Sequence, residues 1–284
     1  DINGFFGLLA YYLAQMSLIG LILAGFGFPN DILLYRILPG ITAVIVFSSL
    51  EVTVMCIMRA KKLKRTDMTG LPYGIDTPTS ISMPILVVGP IFLMLKHNGI
   101  DPHNAAMLAW HTGMAAIAMI GVLKIIGSFF ANAISKIVPL AGLLGSLVGI
   151  GFMIGIFALV EVFTMPIIGL LALGVIFYTL ISGIRWPKHL PGVLIGIAIC
   201  AIIYHFFGGT GIFQTHSDVS LAIRTAVPHP NLGFITGLKY ALPIFSVILP
   251  FAILTIVGDI NATVSAIQAG DNYNPKTVLL LNGI

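Results

Sequence analysis

Charged residues are scarce in this sequence. Only 8% of its 284 residues are charged, whereas 58% are hydrophobic, and the mean hydropathy is +1.05. A soluble domain usually carries about 25% charged residues, so this chain lacks the charge needed to cover a surface that faces water. We therefore predict an all-α polytopic membrane protein, with the lipid bilayer as its solvent and no soluble domain.

Cysteine and the common catalytic motifs are also nearly absent. Cys56 and Cys200 both lie in apolar runs, which does not indicate a disulfide framework, and the histidines show no metal-ligand spacing. The sequence has no His-Glu-x-x-His and no Asp-Asp pair that could hold magnesium for prenyl transfer. We predict no enzymatic activity, no metal and no cofactor. The basic residues lie between apolar runs, so the net charge of +4 does not predict nucleic-acid binding.

Long apolar runs fill the rest of the chain, and each approaches the roughly 20 residues that a helical span requires. The predicted spans cover residues 6–26, 38–58, 80–95, 105–128, 139–160, 165–182, 191–207 and 241–266. A ninth span begins near Thr277, and the apolar run at the end of the chain leads us to expect that the sequence stops inside it.

The basic residues predict the orientation. Five Lys and Arg residues cluster at positions 59–65, and the positive-inside rule places such a loop in the cytoplasm. The N-terminus is then cytoplasmic, in a cell (inner or plasma) membrane. Alternation from this loop also puts Lys124 on the cytoplasmic side.

The number of spans predicts the domain organisation. Seven spans precede the eighth, so a second copy of the first seven would have inverted topology, a common plan among secondary transporters. We predict a first seven-span repeat at residues 1–207, an external connecting loop at 208–234, and the start of the second repeat at 235–284.

The third span is predicted to be broken. Residues 69–84 contain two glycines and three prolines, which argues against a continuous helix. Extended backbone at membrane depth is tolerated only where protein buries it or water lines it. We expect residues 76–82 to be extended and to line a cavity; the alternatives are a re-entrant loop or a proline-kinked helix.

The half-helix after this segment would point its free N–H groups at a ligand. Hydroxyl groups at Thr77, Thr79 and Ser80 could add donors and acceptors. Asp76 could contact the same ligand, or it could cap the helix instead.

Two polar positions interrupt other apolar runs. A carboxylate deep in a bilayer is costly, so Asp259 is a candidate for substrate binding and proton coupling, with Asn261 beside it; the alternative is a cap at a helix end. Gln15 presents a donor and an acceptor together, as pairing with a heterocycle edge requires. It could equally form a hydrogen bond between helices.

Residues 70–78 read Gly-Leu-Pro-Tyr-Gly-Ile-Asp-Thr-Pro. This motif resembles the Leu-Pro-Tyr/Phe-Gly-Ile-Asn-Thr-Pro element of the nucleobase–cation symporter-2 family, the xanthine/uracil permeases, near their hypoxanthine/guanine branch. The resemblance implies a seven-plus-seven inverted-repeat fold, truncated here after eight to nine spans. It also implies broken spans three and ten, frequent homodimers, and a purine or pyrimidine nucleobase carried by proton symport, with sodium as the other possible coupling ion.

By position, Gln15 matches the family's glutamine in span one, followed here by Met16 in place of histidine. Asp259 matches the acidic residue of span eight that holds the base and couples to protons, whereas Asn261 and Val264 stand where related sequences have acidic groups. The alternative on the same scaffold is a sulfate- or bicarbonate-like anion transporter. Such a site would favour a cationic side chain near the membrane midplane, and the orientation above places none there.

Overall fold

A computed structural model describes residues 2–71, 74–138, 140–182, 186, 191–207, 226–228 and 231–284. This part of the chain is about 85% helix and contains no strand. The prediction of an all-helical protein is confirmed at that level.

The helices follow the apolar runs closely. In chain order they are α1 (Ile2–Gly25), α2 (Asn30–Leu63), α3 (Thr77–His97), α4 (Pro102–Ile137), α5 (Leu140–Thr164), α6 (Pro166–Ile176, continuing as a π-helix over Phe177–Ile181), α7 (Gly192–Phe207), α8 (Gly233–Gln268) and α9 (Pro275–Gly283). Among the described residues, α1 to α4 and α8 are long and apolar enough to cross a membrane. The chain therefore has the helices of a multi-pass membrane protein.

The third predicted span differs from the expectation at its start. The backbone is non-helical from Arg65 to Leu71 and from Gly74 to Asp76, but α3 begins at Thr77, so the prediction of extended structure through Ser82 is wrong. The reason is local. Asp76 is extended and caps the helix, and Pro78 occupies its first turn, where a missing N–H costs nothing.

A second proline is accommodated inside α3 rather than breaking it. Pro84 lies in a π-helical stretch, Met83–Val88, between two α-helical parts. Proline cannot donate to the i−4 carbonyl, and the wider π-turn shifts the hydrogen-bonding register at this point. The helix therefore continues to His97.

The described residues form two compact units. One contains residues 2–14 and the described part of 148–207, where α6 and α7 pack against each other. The other contains the described residues of 15–147 and 226–284. The predicted repeat boundary remains a prediction, and most of the predicted loop at 208–234 lies outside the described residues.

Helix α4 lies at the centre of the second unit, where it contacts α3, α8 and α9. Its first half is lined with small residues: Ala105, Ala106 and Ala109 are fully buried and pack against Phe92 and Leu95 of α3. Small side chains allow the helices to approach closely, as is typical of helix packing in membranes. This unit contains every predicted site residue.

Candidate functional site

An ion pair lies inside the second unit, among helices. Asp259, in the middle of α8, is largely buried, and its Oδ2 atom is 3.0 Å from Nζ of Lys124 in α4. The same oxygen accepts a hydrogen bond of 2.7 Å from Nδ2 of Asn282 in α9. Three helices thus converge on one carboxylate oxygen. Asp259 is not a cap at a helix end, which was the alternative interpretation.

Glycines on α4 bring the three helices together. A Cβ atom on Gly121 would lie 2.7 Å from the carbonyl oxygen of Gly283 in α9, and one on Gly127 would lie 3.1 Å from Ile256 in α8. These close approaches come one turn before and one turn after Lys124. They hold Asn282 and Asp259 within reach of the ammonium group.

The surroundings of Lys124 were not predicted from the sequence. Alternation placed this residue on the cytoplasmic side, which remains a prediction, and the structure adds that Lys124 is buried among helices, 8% exposed. A signal was present in the sequence, because Lys124 interrupts the apolar run Val-Leu-Lys-Ile-Ile at 122–126. Asn282 was also missed, since it carries no charge and follows three leucines.

The start of α3 is already saturated with local hydrogen bonds. The Asp76 carboxylate accepts 2.8 Å bonds from the backbone N–H and from the hydroxyl of Thr79. The backbone carbonyl of Asp76 accepts bonds from the Ser80 N–H and hydroxyl, and Pro78 has no N–H. The N–H groups of Thr79 and Ser80 are therefore not free for a ligand, contrary to the expectation, and Asp76 acts as a helix cap.

Gln15 forms a hydrogen bond to another helix, which was the alternative interpretation of this residue. Nε2 of Gln15 in α1 donates to Oγ1 of Thr77 over 2.6 Å. Gln15 is 6% exposed, and its buried Oε1 atom accepts no hydrogen bond from the described residues. A buried carbonyl without a donor is costly, so this atom is suited to receive an N–H group from a ligand.

The start of α3 also connects these two sets of residues. Its first turns contact the part of α8 that carries Asp259. The structure therefore brings Gln15, Thr77, Asp76 and Asp259 into one region of one unit. Asn261 is fully buried in α8, two residues after Asp259, and its part in ligand binding remains a prediction.

No family model, curated protein or solved structure matches this chain.

The chemistry of the site follows from its own groups. It combines two carboxylates, one ammonium group, an amide carbonyl without a donor and a threonine hydroxyl. These groups can exchange a proton at Asp259 and can hydrogen-bond a small polar molecule with both donors and acceptors. Among the described residues, no group of three His, Cys, Asp or Glu side chains could hold a metal ion.

Proposed function

We propose that this chain is part of a secondary active transporter that imports a purine or pyrimidine nucleobase, such as hypoxanthine, xanthine or uracil, by proton symport. The observation that carries the proposal is the Asp259 carboxylate, held in the middle of an apolar helix by Lys124. Ionisable residues inside membrane helices are expensive and typically mark substrate or proton pathways.

The hydrogen-bonding groups of the site complement a nucleobase. The edge of such a ring alternates N–H donors with keto or ring-nitrogen acceptors. Oε1 of Gln15 lacks a donor among the described residues, and Asp259 can accept from a ring N–H or take up a proton. In this proposal Gln15 and Asp259 bind the base, Asp259 also carries the coupling proton, and Thr77 orients Gln15.

The remaining parts of the proposal come from the resemblance and from the basic loop. The transporter lies in the cell membrane with its N-terminus in the cytoplasm and forms a homodimer. A proton is favoured over sodium as the coupling ion, because a single carboxylate can take up a proton, whereas sodium would need several oxygen ligands and Lys124 already occupies the place of a cation beside Asp259.

Uptake by cells that produce the full-length protein tests the proposal. We expect accumulation of at least one of radiolabelled hypoxanthine, xanthine, guanine and uracil, and we expect a protonophore to abolish it. Asp259→Asn should reduce accumulation at least about tenfold, because an amide cannot take up the proton.

Glu51→Gln provides the matched control. Glu51 lies in the middle of α2 and is exposed, so the same loss of a carboxylate in another apolar helix should leave uptake near the wild-type level. Accumulation that Asp259→Asn leaves unchanged would exclude the coupling role of Asp259, and no uptake of any base by the wild-type protein would exclude the nucleobase.

An anion transporter is the second candidate, and Lys124 is the observation that favours it. In the sequence, the lack of a cation near the membrane midplane counted against this function, and the burial of Lys124 among helices now speaks in its favour. Its charge is compensated by Asp259 at 3.0 Å, however, so an anion would have to displace that carboxylate or follow its protonation. Inhibition of uptake by sulfate or bicarbonate but not by bases would favour this alternative.

A further inference from the structure

Lys124 has more hydrogen-bonding capacity than the protein uses. An ammonium group carries three N–H donors, and Asp259 is its one acceptor among the described residues. Its side chain is only 10% exposed, so bulk water does not freely supply the other acceptors. A buried cation in this condition favours an additional oxygen from a bound molecule.

The protein also holds Lys124 in place. The glycine contacts of α4 with α9 and α8 lie on either side of it, at Gly121 and Gly127. The Asp259 oxygen that accepts from Lys124 also accepts from Asn282, which limits where the carboxylate can move. The neighbouring helices and Asp259 therefore limit where the ammonium group can lie.

The charges around Lys124 determine which acceptor fits. Asp259, at 3.0 Å, already compensates the charge of Lys124. An anion bound beside this pair would be repelled by the Asp259 carboxylate. A neutral molecule with a polarised keto oxygen avoids that repulsion and still gains a charge-assisted hydrogen bond.

We propose that Lys124 is a specificity-determining residue, whose ammonium group donates a hydrogen bond to a keto oxygen of the transported molecule while it remains paired with Asp259. This assignment rests on the proposed function, because it names the part of the nucleobase that Lys124 recognises. It divides the site into a donor side at Lys124 and an acceptor side at Gln15 and Asp259. Bases without a keto oxygen should bind poorly.

Two probes that differ at one edge of the ring test the assignment. Hypoxanthine carries a keto oxygen at C6 and an N–H at N1, and purine is the same bicycle with neither group, so the variants below decide which of the two groups is recognised. With the purified full-length protein, isothermal titration should show hypoxanthine binding at least roughly tenfold more tightly than purine, as expected for a hydrogen bond to a charged donor. Equal affinities in the wild-type protein would overturn the assignment without any variant.

Variants then assign the preference to Lys124. The double variant Lys124→Met/Asp259→Asn removes both charges and leaves no buried ion unpaired, and we expect its preference for hypoxanthine to fall to about threefold or less. Asp259→Asn alone retains the ammonium group and should retain the preference, as should Lys124→Arg. A double variant that keeps the full tenfold preference would assign it to another residue.

A third probe separates this assignment from the proposed function. If the wild-type protein binds inorganic sulfate and neither base, the nucleobase proposal fails. Loss of sulfate binding in the double variant would then still identify Lys124 as the oxygen-binding residue, because it would show that the same ammonium group holds an oxyanion. Sulfate binding that persists in the double variant would overturn both.

Discussion

At the scale of single residues, Lys124 and Asp259 form a largely buried ion pair in which large energies oppose each other. Removing either charge from water costs several kcal/mol, and the attraction between them offsets that cost only while both are present. Asn282 adds a second contact to the Asp259 oxygen that pairs with Lys124. The ion pair is therefore tolerated as long as both charges are present, whereas either charge alone would destabilise the folded protein.

This coupling predicts the outcome of a double-mutant cycle. Lys124→Met alone leaves an unpaired carboxylate and should lower the free energy of unfolding by about 3–5 kcal/mol, as should Asp259→Leu alone. The double variant should recover most of that loss, because no buried charge remains. The measurement is unfolding in detergent, followed by tryptophan fluorescence or by the melting temperature. Additive losses in the cycle would show that the two residues do not interact.

How far the sequence predicts these residues depends on the kind of signal each one carries. Asp259 is predictable because a carboxylate in an apolar run is rare enough to stand out. Lys124 carries an equally strong signal, but the orientation rule assigned it to a membrane surface. Its partner is 135 positions away along the chain, and that pairing depends on the packing of α4 against α8.

At the scale of elements, the non-helical segment before α3 is hydrogen-bonded to the loop between α8 and α9. Thr69 donates its N–H to Asp271 over 3.0 Å and accepts a 2.6 Å bond from the Tyr273 hydroxyl. Arg65 donates to the carbonyl of Gly270, a residue with φ of 100° that suits glycine. These contacts fix the backbone that leads to Asp76, and so they position the start of α3.

The hydrogen bond from Tyr273 to this segment predicts that the stability of the folded protein decreases at high pH. Burial raises the pKa of Tyr273 above its ordinary value, and the neighbouring Cys56 and Asp271 add to the effect while Arg59 opposes it. Below about pH 10 the hydroxyl is protonated in both folded and unfolded chains, so its contribution is complete. Above that pH only the unfolded chain loses the proton, and stability should fall.

Tyr273→Phe tests this pH dependence. The variant should be less stable at neutral pH by about 1 kcal/mol, because the Thr69 carbonyl loses its donor. Its further decline between roughly pH 10 and 11 should be smaller than that of the wild-type protein, since no phenol remains to titrate. Melting temperatures across this range provide the measurement. Parallel curves for the two proteins would show that Tyr273 does not contribute to the decline.

The close contact between α4 and α9 predicts that Gly121 cannot be replaced by a larger residue without loss of stability. In Gly121→Ala the new Cβ atom would approach a backbone carbonyl oxygen at 2.7 Å, which backbone movement alone can relieve. We expect a loss of about 1–3 kcal/mol in stability, together with weaker ligand binding, because α9 carries Asn282. The same change at Gly40, where nothing lies within 4 Å, should be neutral or stabilising. Equal effects at both positions would contradict the close approach.

The sequence predicts elements better than it predicts their ends. Each of the eight predicted spans coincides with a helix, because apolar runs of this length have few alternatives. The third span shows the limit. Its two glycines and three prolines indicate a break, but the Asp-Thr-Pro-Thr sequence at 76–79 also carries a cap and a first-turn proline, the signature of a helix start. That local signal decides the boundary.

At the scale of the whole molecule, the seven-plus-seven repeat remains a prediction. Helix lengths and apolarity show that the chain can cross a membrane several times, but they do not show which helices correspond between two repeats. That correspondence depends on the orientation of each span. Orientation is decided by charge at the helix ends, which is a property of the sequence that can be tested directly.

The basic cluster at 59–65 predicts which face of the membrane each loop reaches. If it lies in the cytoplasm, the loop after α3 must lie outside, because one further span separates them. In a full-length variant whose cysteines, Cys56 and Cys200 among them, are replaced by serine, Asn98→Cys should react with a membrane-impermeant maleimide on intact cells. Lys62→Cys should react only after permeabilisation, and both positions are exposed. Labelling of the two positions from the same face would mean that α3 and the segment before it do not cross the bilayer. The first half would then contain six spans instead of seven. Because an even number of spans gives parallel repeats, the prediction of an inverted repeat would be wrong.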